Sequence, residues 1–321
     1  MKGRFARHIL IVIAALATVS CVKDIQVRDA ISFAPVASKP TKAIIEGTTY
    51  PEGESFAVSA FYNASAASPG SSAYFTNLIA SKGITYWETS SSEYWPLAGR
   101  LDFYAYSPNT AAGVTIGSGG VTATGYSITT AQQMTTDLCY ASATVTDCAE
   151  HPSAVPLAFS HALSQVVFRV KAADYYSNVS LALDSLSLNG IYSVGDFNNG
   201  EWTNQDSART YTLSSTNTAL TYDGNNEPET IDLCAYLFIP QELSPSATLN
   251  VGYNIVQNIS GTDYTLENKP VSVNLSNTIT EWEAGKKYIY TLTIGMNNVI
   301  TFTASAVGWQ EENEEIIVEE N

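Results

Sequence analysis

Few side chains in this sequence could do chemistry. Beyond residue 20 the only histidines are His151 and His161, and the cysteines are Cys21, Cys139, Cys148 and Cys234. Ser160 and His161 are neighbours, whereas nucleophile and base pairs are assembled across a fold from distant positions. The chain holds no GxSxG, HExxH or CxxC and no glycine-rich dinucleotide fingerprint. No cysteine or histidine spacing suits zinc, so neither a metal nor a cofactor is expected. His161, with Phe159, Leu163 and Val166 close in sequence, reads as a packed core histidine. Asp196 and Asp223 read as turn residues that hydrogen-bond their own backbone, because neither begins a calcium-binding loop. Cys139 and Cys148 could pair as a disulfide across a turn and leave Cys234 free inside "DLCAYLFIP"; three buried thiols are the alternative. With no catalytic constellation assembled, the chain does not read as an enzyme.

The covalent chemistry lies at the N-terminus. "MKGRFARHILIVIAALATVSC" begins with Lys2, Arg4 and Arg7, continues with an apolar run from Ile9 to Val19, and ends in Ser20 and Cys21. The run is too short to span a bilayer and reads as a signal peptide, residues 1–20. Cys21 after a small residue resembles a bacterial lipobox, although Thr18 stands where Leu is usual. On that reading acyl chains on Cys21 hold the chain to a membrane; the alternative is cleavage nearby with Cys21 an ordinary thiol. Removal of residues 1–20 leaves 301 residues (321 − 20), a comfortable length for two domains. A net charge of −16 argues against nucleic acid, whose phosphates need lysine and arginine. Only 14% of residues are charged while Ser, Thr, Tyr and Val abound, the composition of an extracellular β protein.

The elements that must position these residues are strands. "ESFAVSAFYN" puts Phe56, Val58, Ala60 and Tyr62 on one face, "KYIYTLTIG" does so with Tyr288, Tyr290, Leu292 and Ile294, and "VITFTASAV" with Ile300, Phe302, Ala304 and Ala306. A period of two marks half-buried strands of antiparallel sheets. In "SLALDSLSL" the apolar phase slips, which predicts a bulge or break at Asp184–Ser185. "NNG" at 198–200 and "DGNN" at 223–226 predict turns, and "GVTIGSGGVTATG" predicts a loop or small hairpin. Pro152 and Pro156 predict a domain seam near residue 155. The fold expected is all-β, two tandem antiparallel β-sandwiches. The aromatic stretch "TYWETSSSEYWPLAGRLDFYAYSP" could be a sugar-stacking platform if Trp87, Tyr94 or Trp95 is exposed; packing of Trp95 and Phe103 in a core is the preferred reading.

The C-terminal "EEIIVEEN" is unusual for a chain end. Ile316, Ile317 and Val318 form a β-branched run that favours a strand, set beyond Trp309 and the acidic spacer "GWQEENEE".

Together "YWPLAGRLDFYAYSP", "DLCYASATV", "LAFSHALSQVVFRVK", "LFIPQ", "WEAGKKYIYTLTI" and "VITFTASAVGW" resemble the fimbrillin family, the pilins of type V pili of anaerobic Gram-negative bacteria. The stretches run in order from about residue 55 to the C-terminus. The resemblance implies a signal peptide (1–20), a lipidated propeptide (21–42), tandem sandwich domains of transthyretin-like, Greek-key type (43–155 and 156–309) and a tail (310–321). It implies an outer-membrane lipoprotein precursor, held by its lipid anchor and cut by a Lys- or Arg-directed surface protease. Removal of a leading strand then empties a groove that a donor strand from another copy, or a related pilin, fills in an extracellular pilus. "DAISFAPVA" (29–37) looks like the leading strand, with Ile31 and Phe33 as its buried residues. Lys39 precedes Pro40, so Lys42–Ala43 is the expected cut, with Arg28–Asp29 as the alternative. "EEIIVEEN" looks like the donor strand. Burial of Ile316, Ile317 and Val318 would contribute roughly 5–9 kcal/mol before ordering costs; a tail folded back on its own domain as an edge strand is the alternative. A glycan-binding surface lipoprotein, or an anchor or tip pilin, are the competing functions.

Overall fold

The computed structural model describes residues 28–37, 50–51, 53–214, 217–266, 270–296, 300–308 and 318–319. Among them the regular elements are strands and three short 3-10 turns, at 133–135, 148–150 and 275–277. The first strands are β1 (Ser32–Ala37), β2 (Phe56–Asn63), β3 (Ser72–Lys82), β4 (Trp87–Thr89), β5 (Arg100–Ser107), β6 (Val114–Gly117), β7 (Gly120–Ser127), β8 (Cys139–Val145) and β9 (Val155–His161). Then come β10 (Ser164–Ala172), β11 (Val179–Asn198), β12 (Glu201–Ser214), β13 (Thr218–Ala219), β14 (Ile231–Phe238), β15 (Gln241–Glu242) and β16 (Thr248–Ile259). The last are β17 (Thr262–Leu266), β18 (Val271–Asn274), β19 (Glu281–Trp282), β20 (Lys286–Ile294), β21 (Ile300–Gly308) and β22 (Val318–Glu319).

The N-terminal part is a closed barrel in the order β1-β4-β3-β2-β5-β8-β9. This corrects the expected sandwich: β1 fills the gap between β4 and β9, so this sheet has no open edge. The remainder is a five-stranded sheet, β14-β10-β20-β21-β22, an eight-stranded sheet built on β16-β11-β7, and the short pair β15-β19. The two large sheets share one core, in which Val166, Phe168, Tyr290 and Phe302 meet Leu183, Leu186, Leu249 and Tyr253. The sheets are not purely antiparallel. β1 runs parallel to β9, and β10 runs parallel to β20.

The stretch around residue 155 is itself part of the barrel. Val155 begins β9, a barrel strand, and the chain leaves the barrel at Ala162–Leu163. Pro156 is tolerated because it lies in a short strand flanked by β1, beyond the two residues that pair with β8. The glycine-rich stretch at 113–125 is the β6–β7 hairpin, and β7 pairs with β11, so a segment between two barrel strands belongs to the other sheet. Ala57 and Tyr106 of the barrel lie in the larger core. That explains why β2 is buried on both faces.

At several places one residue decides the backbone. The ladder of β11 with β16 shifts between Leu183 and Ser185, leaving Asp184 as the extra residue. Asn199 (φ 49°) and Gly200 (φ 100°) make the tight turn between β11 and β12. Asp223 accepts from the backbone N–H of Asn225 and Glu227, as its turn requires. Asp196 sits instead within β11, opposite Thr203, and accepts from Gly125 N–H and the Asn204 amide.

One buried carboxylate ties the barrel together. Asp102 on β5, 2% exposed, accepts from Gly70 N–H (2.7 Å), Thr144 Oγ1 (2.6 Å) and Arg100 Nη2 (2.9 Å). Burial pushes its pKa up, but the bonds from Arg100, Thr144 and Gly70 outweigh that and hold it below the usual carboxylate range. Its contribution is therefore complete above the unfolded value of about 3.9 and is lost as pH falls through the lower folded value. Asp102→Asn should cost about 1.5–3 kcal/mol at neutral pH. It should also flatten the acid limb of the stability curve below about pH 4, measured by urea unfolding across pH. An unchanged acid limb would remove Asp102 from that role.

Candidate strand-docking site

β1 is a short strand seated between two others and buried on one face. Against β9 it forms a parallel ladder from Phe33↔Val155 to Ala37↔Phe159; against β4 it pairs only at Ser32↔Glu88 and Phe33↔Trp87. The lead-in is fixed by Ile31 N–H to Glu93 O (2.7 Å) and Trp95 N–H to Asp29 O (3.0 Å). Ser32 Oγ donates to Ser153 O (2.9 Å). Ile31, Phe33 and Pro35 are buried while Val36 is exposed, the period of two that a one-sided strand requires.

Phe33 is fully buried in an aromatic core. Its ring meets Phe56 and Phe103 edge-on, at 5.9 and 5.8 Å between centroids. Tyr50, the next described residue after the strand, is buried against Trp87 (4.9 Å) and Phe159 (5.1 Å), with its hydroxyl 2.6 Å from Ser107 Oγ. Burial pushes the Tyr50 phenol well above its ordinary value, so it stays neutral, and either hydroxyl of the Tyr50–Ser107 pair can donate. Burial of Ile31 and Phe33 alone contributes roughly 3–6 kcal/mol. The site is a slot: two strand backbones as walls, a hydrophobic floor, and a strand as its occupant. It can bind an extended segment by ladder bonds and alternate side-chain pockets.

Of the sequence-derived residues, Ile31 and Phe33 lie in this slot. Cys21, Lys42, Ala43, Ile316 and Ile317 fall outside the described residues. Val318 and Glu319 form β22, antiparallel to β21 through Ala304 and Thr303. Cys139 and Cys148 are buried free thiols, so of the two readings left open by the sequence the structure has no disulfide between them. They flank β8 at opposite ends, and seven residues of strand separate such ends by roughly 20 Å, far beyond disulfide reach. Cys234 is also free. Trp87 and Trp95 are buried, and Trp95 packs on Phe103 at 5.9 Å, so neither indole offers a flat face to a sugar; Tyr94 is half exposed. The β9 wall was missed, although Val155, Leu157, Phe159 and His161 alternate as buried residues. The two prolines masked that alternation.

A second cluster joins His161 to Asp137 and Cys139, more than twenty positions away in sequence. His161 Nδ1 lies 2.6 Å from Asp137 Oδ2 and 3.5 Å from Cys139 Sγ, and all three residues are buried. Sequence spacing could not show this, because the ladder pair Cys139↔His161 brings it about.

A family profile described as fimbrillin-like matches residues 41–309. No curated protein matches the chain. Among solved structures, a proposed cell adhesion protein of Bacteroides ovatus is 17% identical, with 89% of this chain and 99% of that one covered and a TM-score of 0.51. Proposed cell adhesion proteins of Bacteroides eggerthii (12% identical, 88% and 96% covered, TM-score 0.51) and Bacteroides uniformis (16%, 87% and 98%, 0.50) are similar to the same extent. At these identities the likeness is one of fold.

Phe33→Ala should destabilise the chain by about 3–5 kcal/mol, and Val36→Ala should cost under about 0.5 kcal/mol, read from denaturant midpoints at fixed m-value. Equal effects would mean that β1 is not seated as described.

Proposed function

Because the chain belongs to the fimbrillin-like family, we propose that it is a structural subunit of an adhesive cell-surface pilus, built by strand exchange. The observation that carries this reading is β1. It closes the barrel, and it is joined to the rest of the chain on one side by residues 38–49, where the expected cut Lys42–Ala43 lies. Cleavage there frees β1 from the barrel it completes. Its loss exposes the backbone edges of β4 and β9 and the floor around Phe56 and Phe103, and an extended donor from a second copy restores both. Such head-to-tail contacts do not close on themselves and generate filaments.

Lipidation at Cys21 would deliver the precursor to the outer membrane, and the Lys- or Arg-directed protease would release β1 there. The mature subunit would then stand in the extracellular pilus, in contact with other copies or related pilins. The tail would serve as donor. Among the described residues it pairs with β21 at Ala304↔Val318 and Thr303↔Glu319, so it is able to take up strand geometry on a sheet edge. The buried indoles of Trp87 and Trp95 weigh against a glycan platform.

Two variants test the reading. Lys42→Gln should leave a longer chain that stays monomeric when treated with a Lys-directed protease, while the unaltered chain shortens and polymerises. A processed chain ending at Asn313 should keep its melting temperature within a few degrees, since little of the core is lost, yet fail to extend polymers in electron micrographs. Polymers of normal length from either variant would overturn the corresponding step. A large fall in melting temperature on truncation would assign the tail to its own sheet.

A further inference from the structure

We propose that Asp137, Cys139 and His161 form a binding site for a transition-metal dication, zinc by preference, at the point where the chain leaves the barrel. Carboxylate, thiol and imidazole converge there, their ligand atoms all within 4.8 Å of one another. The residues are 3%, 1% and 6% exposed, so this is not a solvated acidic patch.

Hydrogen bonds within the triad leave one buried carboxylate oxygen, Asp137 Oδ1, unmatched. A carboxylate only accepts, so the 2.6 Å contact requires the proton on His161 Nδ1. With that proton in place Nδ1 cannot accept from Cys139, although Sγ lies 3.5 Å away, and the thiol's acceptor is the Asp137 carboxylate. Asp137 Oδ1 is buried with no hydrogen-bond partner, which is rare for a carboxylate oxygen. A cation between the three side chains satisfies all of them. Two ligands at the usual zinc–sulfur and zinc–nitrogen distances in tetrahedral geometry stand about 3.5 Å apart, the separation found. The carboxylate must turn outward from the imidazole by less than roughly 1 Å, which brings Oδ1 into play and allows both oxygens to bind. Thiolate and carboxylate neutralise the dication, so no net charge is buried. One sulfur and one imidazole exclude calcium and magnesium, which take oxygen.

Burial, and then the Asp137 carboxylate, hold the Cys139 thiol well above its ordinary pKa; a bound dication reverses that balance. Loading expels the thiol proton and the Nδ1 proton to solvent. The position has a structural consequence. β9 pairs with β8 only at Cys139↔His161 and Tyr140↔Ser160, and the rest of its ladder is with β1. A metal here would clamp the end of β9 that remains attached once β1 is gone.

The test uses the full chain carrying Cys21→Ala, unfolded and refolded with Co(II) under reducing conditions, because the site is closed in the folded state. One Co(II) per chain should bind, with a near-ultraviolet thiolate-to-cobalt band and the visible bands of a tetrahedral site, and Zn(II) should bleach both. Cys139→Ser should abolish the ultraviolet band, and His161→Gln should remove the tetrahedral visible bands. Cys148→Ser and Cys234→Ser should leave the spectrum intact. The refolded parent chain showing native circular dichroism but no thiolate band would overturn the proposal, whatever the variants do. So would a band that survives Cys139→Ser.

Discussion

The barrel depends on one constraint: the backbone edges of β4 and β9 must be satisfied, and β1 satisfies them both. A strand edge with unpaired N–H and C=O groups invites pairing with any extended chain. β1 answers β9 with a five-position parallel ladder and β4 with two positions. It also places Ile31, Phe33 and Pro35 into the interior. β9 has only two paired positions on its other side, at the β8 end. Most of the order of β9 therefore rests on β1. A strand that completes its sheet in this way is a folding requirement, and on the proposed function it would also be a replaceable part.

On the proposed function replacement of β1 would have to leave the rest intact, and the contacts beyond the slot are compatible with that. The barrel is locked to the second part by the β6–β7 hairpin on β11 and by Ala57 and Tyr106 in the larger core. At the crossover, Trp202 Nε1 donates to Ala162 O (2.6 Å), Gly285 N to Leu163 O (2.9 Å) and Ser164 Oγ to Glu283 O (2.7 Å). None of these groups belongs to β1 or β4. Asp102 likewise gathers the β2–β3 turn, β5 and β8 on the far side from the slot's two walls. Loss of β1 would thus open one seam of the barrel: β9 would keep its two pairs with β8 and β4 its ladder with β3, and the strands away from the seam would keep their partners.

What the sequence made legible follows from where the information is local. Alternation in 288–294, the phase slip at Asp184 and the turn at Asn199–Gly200 are properties of a few adjacent residues, and each reappears in the structure. The burial of Ile31 and Phe33 was readable for the same reason. Closure was not readable, because the pairing of β1 with β9 joins residues more than a hundred positions apart. Without that pairing, Pro152 and Pro156 look like a boundary. The Asp137–Cys139–His161 cluster and the separation of Cys139 from Cys148 share this origin: ladder register, not spacing, decides which side chains meet.

The same register argument bears on what a donor must supply. The slot takes alternate residues, filled by Ile31, Phe33 and Pro35 in β1. In an extended tail Ile316 and Val318 point one way and Ile317 the other. The apolar run therefore offers two residues to the floor where β1 offers three, and neither has the area of Phe33. At ~1.5–3 kcal/mol for each fully buried side chain, such a donor binds less tightly than β1 through its side chains alone. Two physical routes close the gap: ladder bonds along β9 extended by residues upstream of Ile316, or docking of the neighbouring subunit's folded body beside the slot. The second adds contact area without lengthening the strand, and it raises the local concentration of the tail at the groove. On the proposed function, donor exchange would thus be a joint property of a strand and the domain that carries it, with register set by the pockets that Phe33 and Ile31 would vacate.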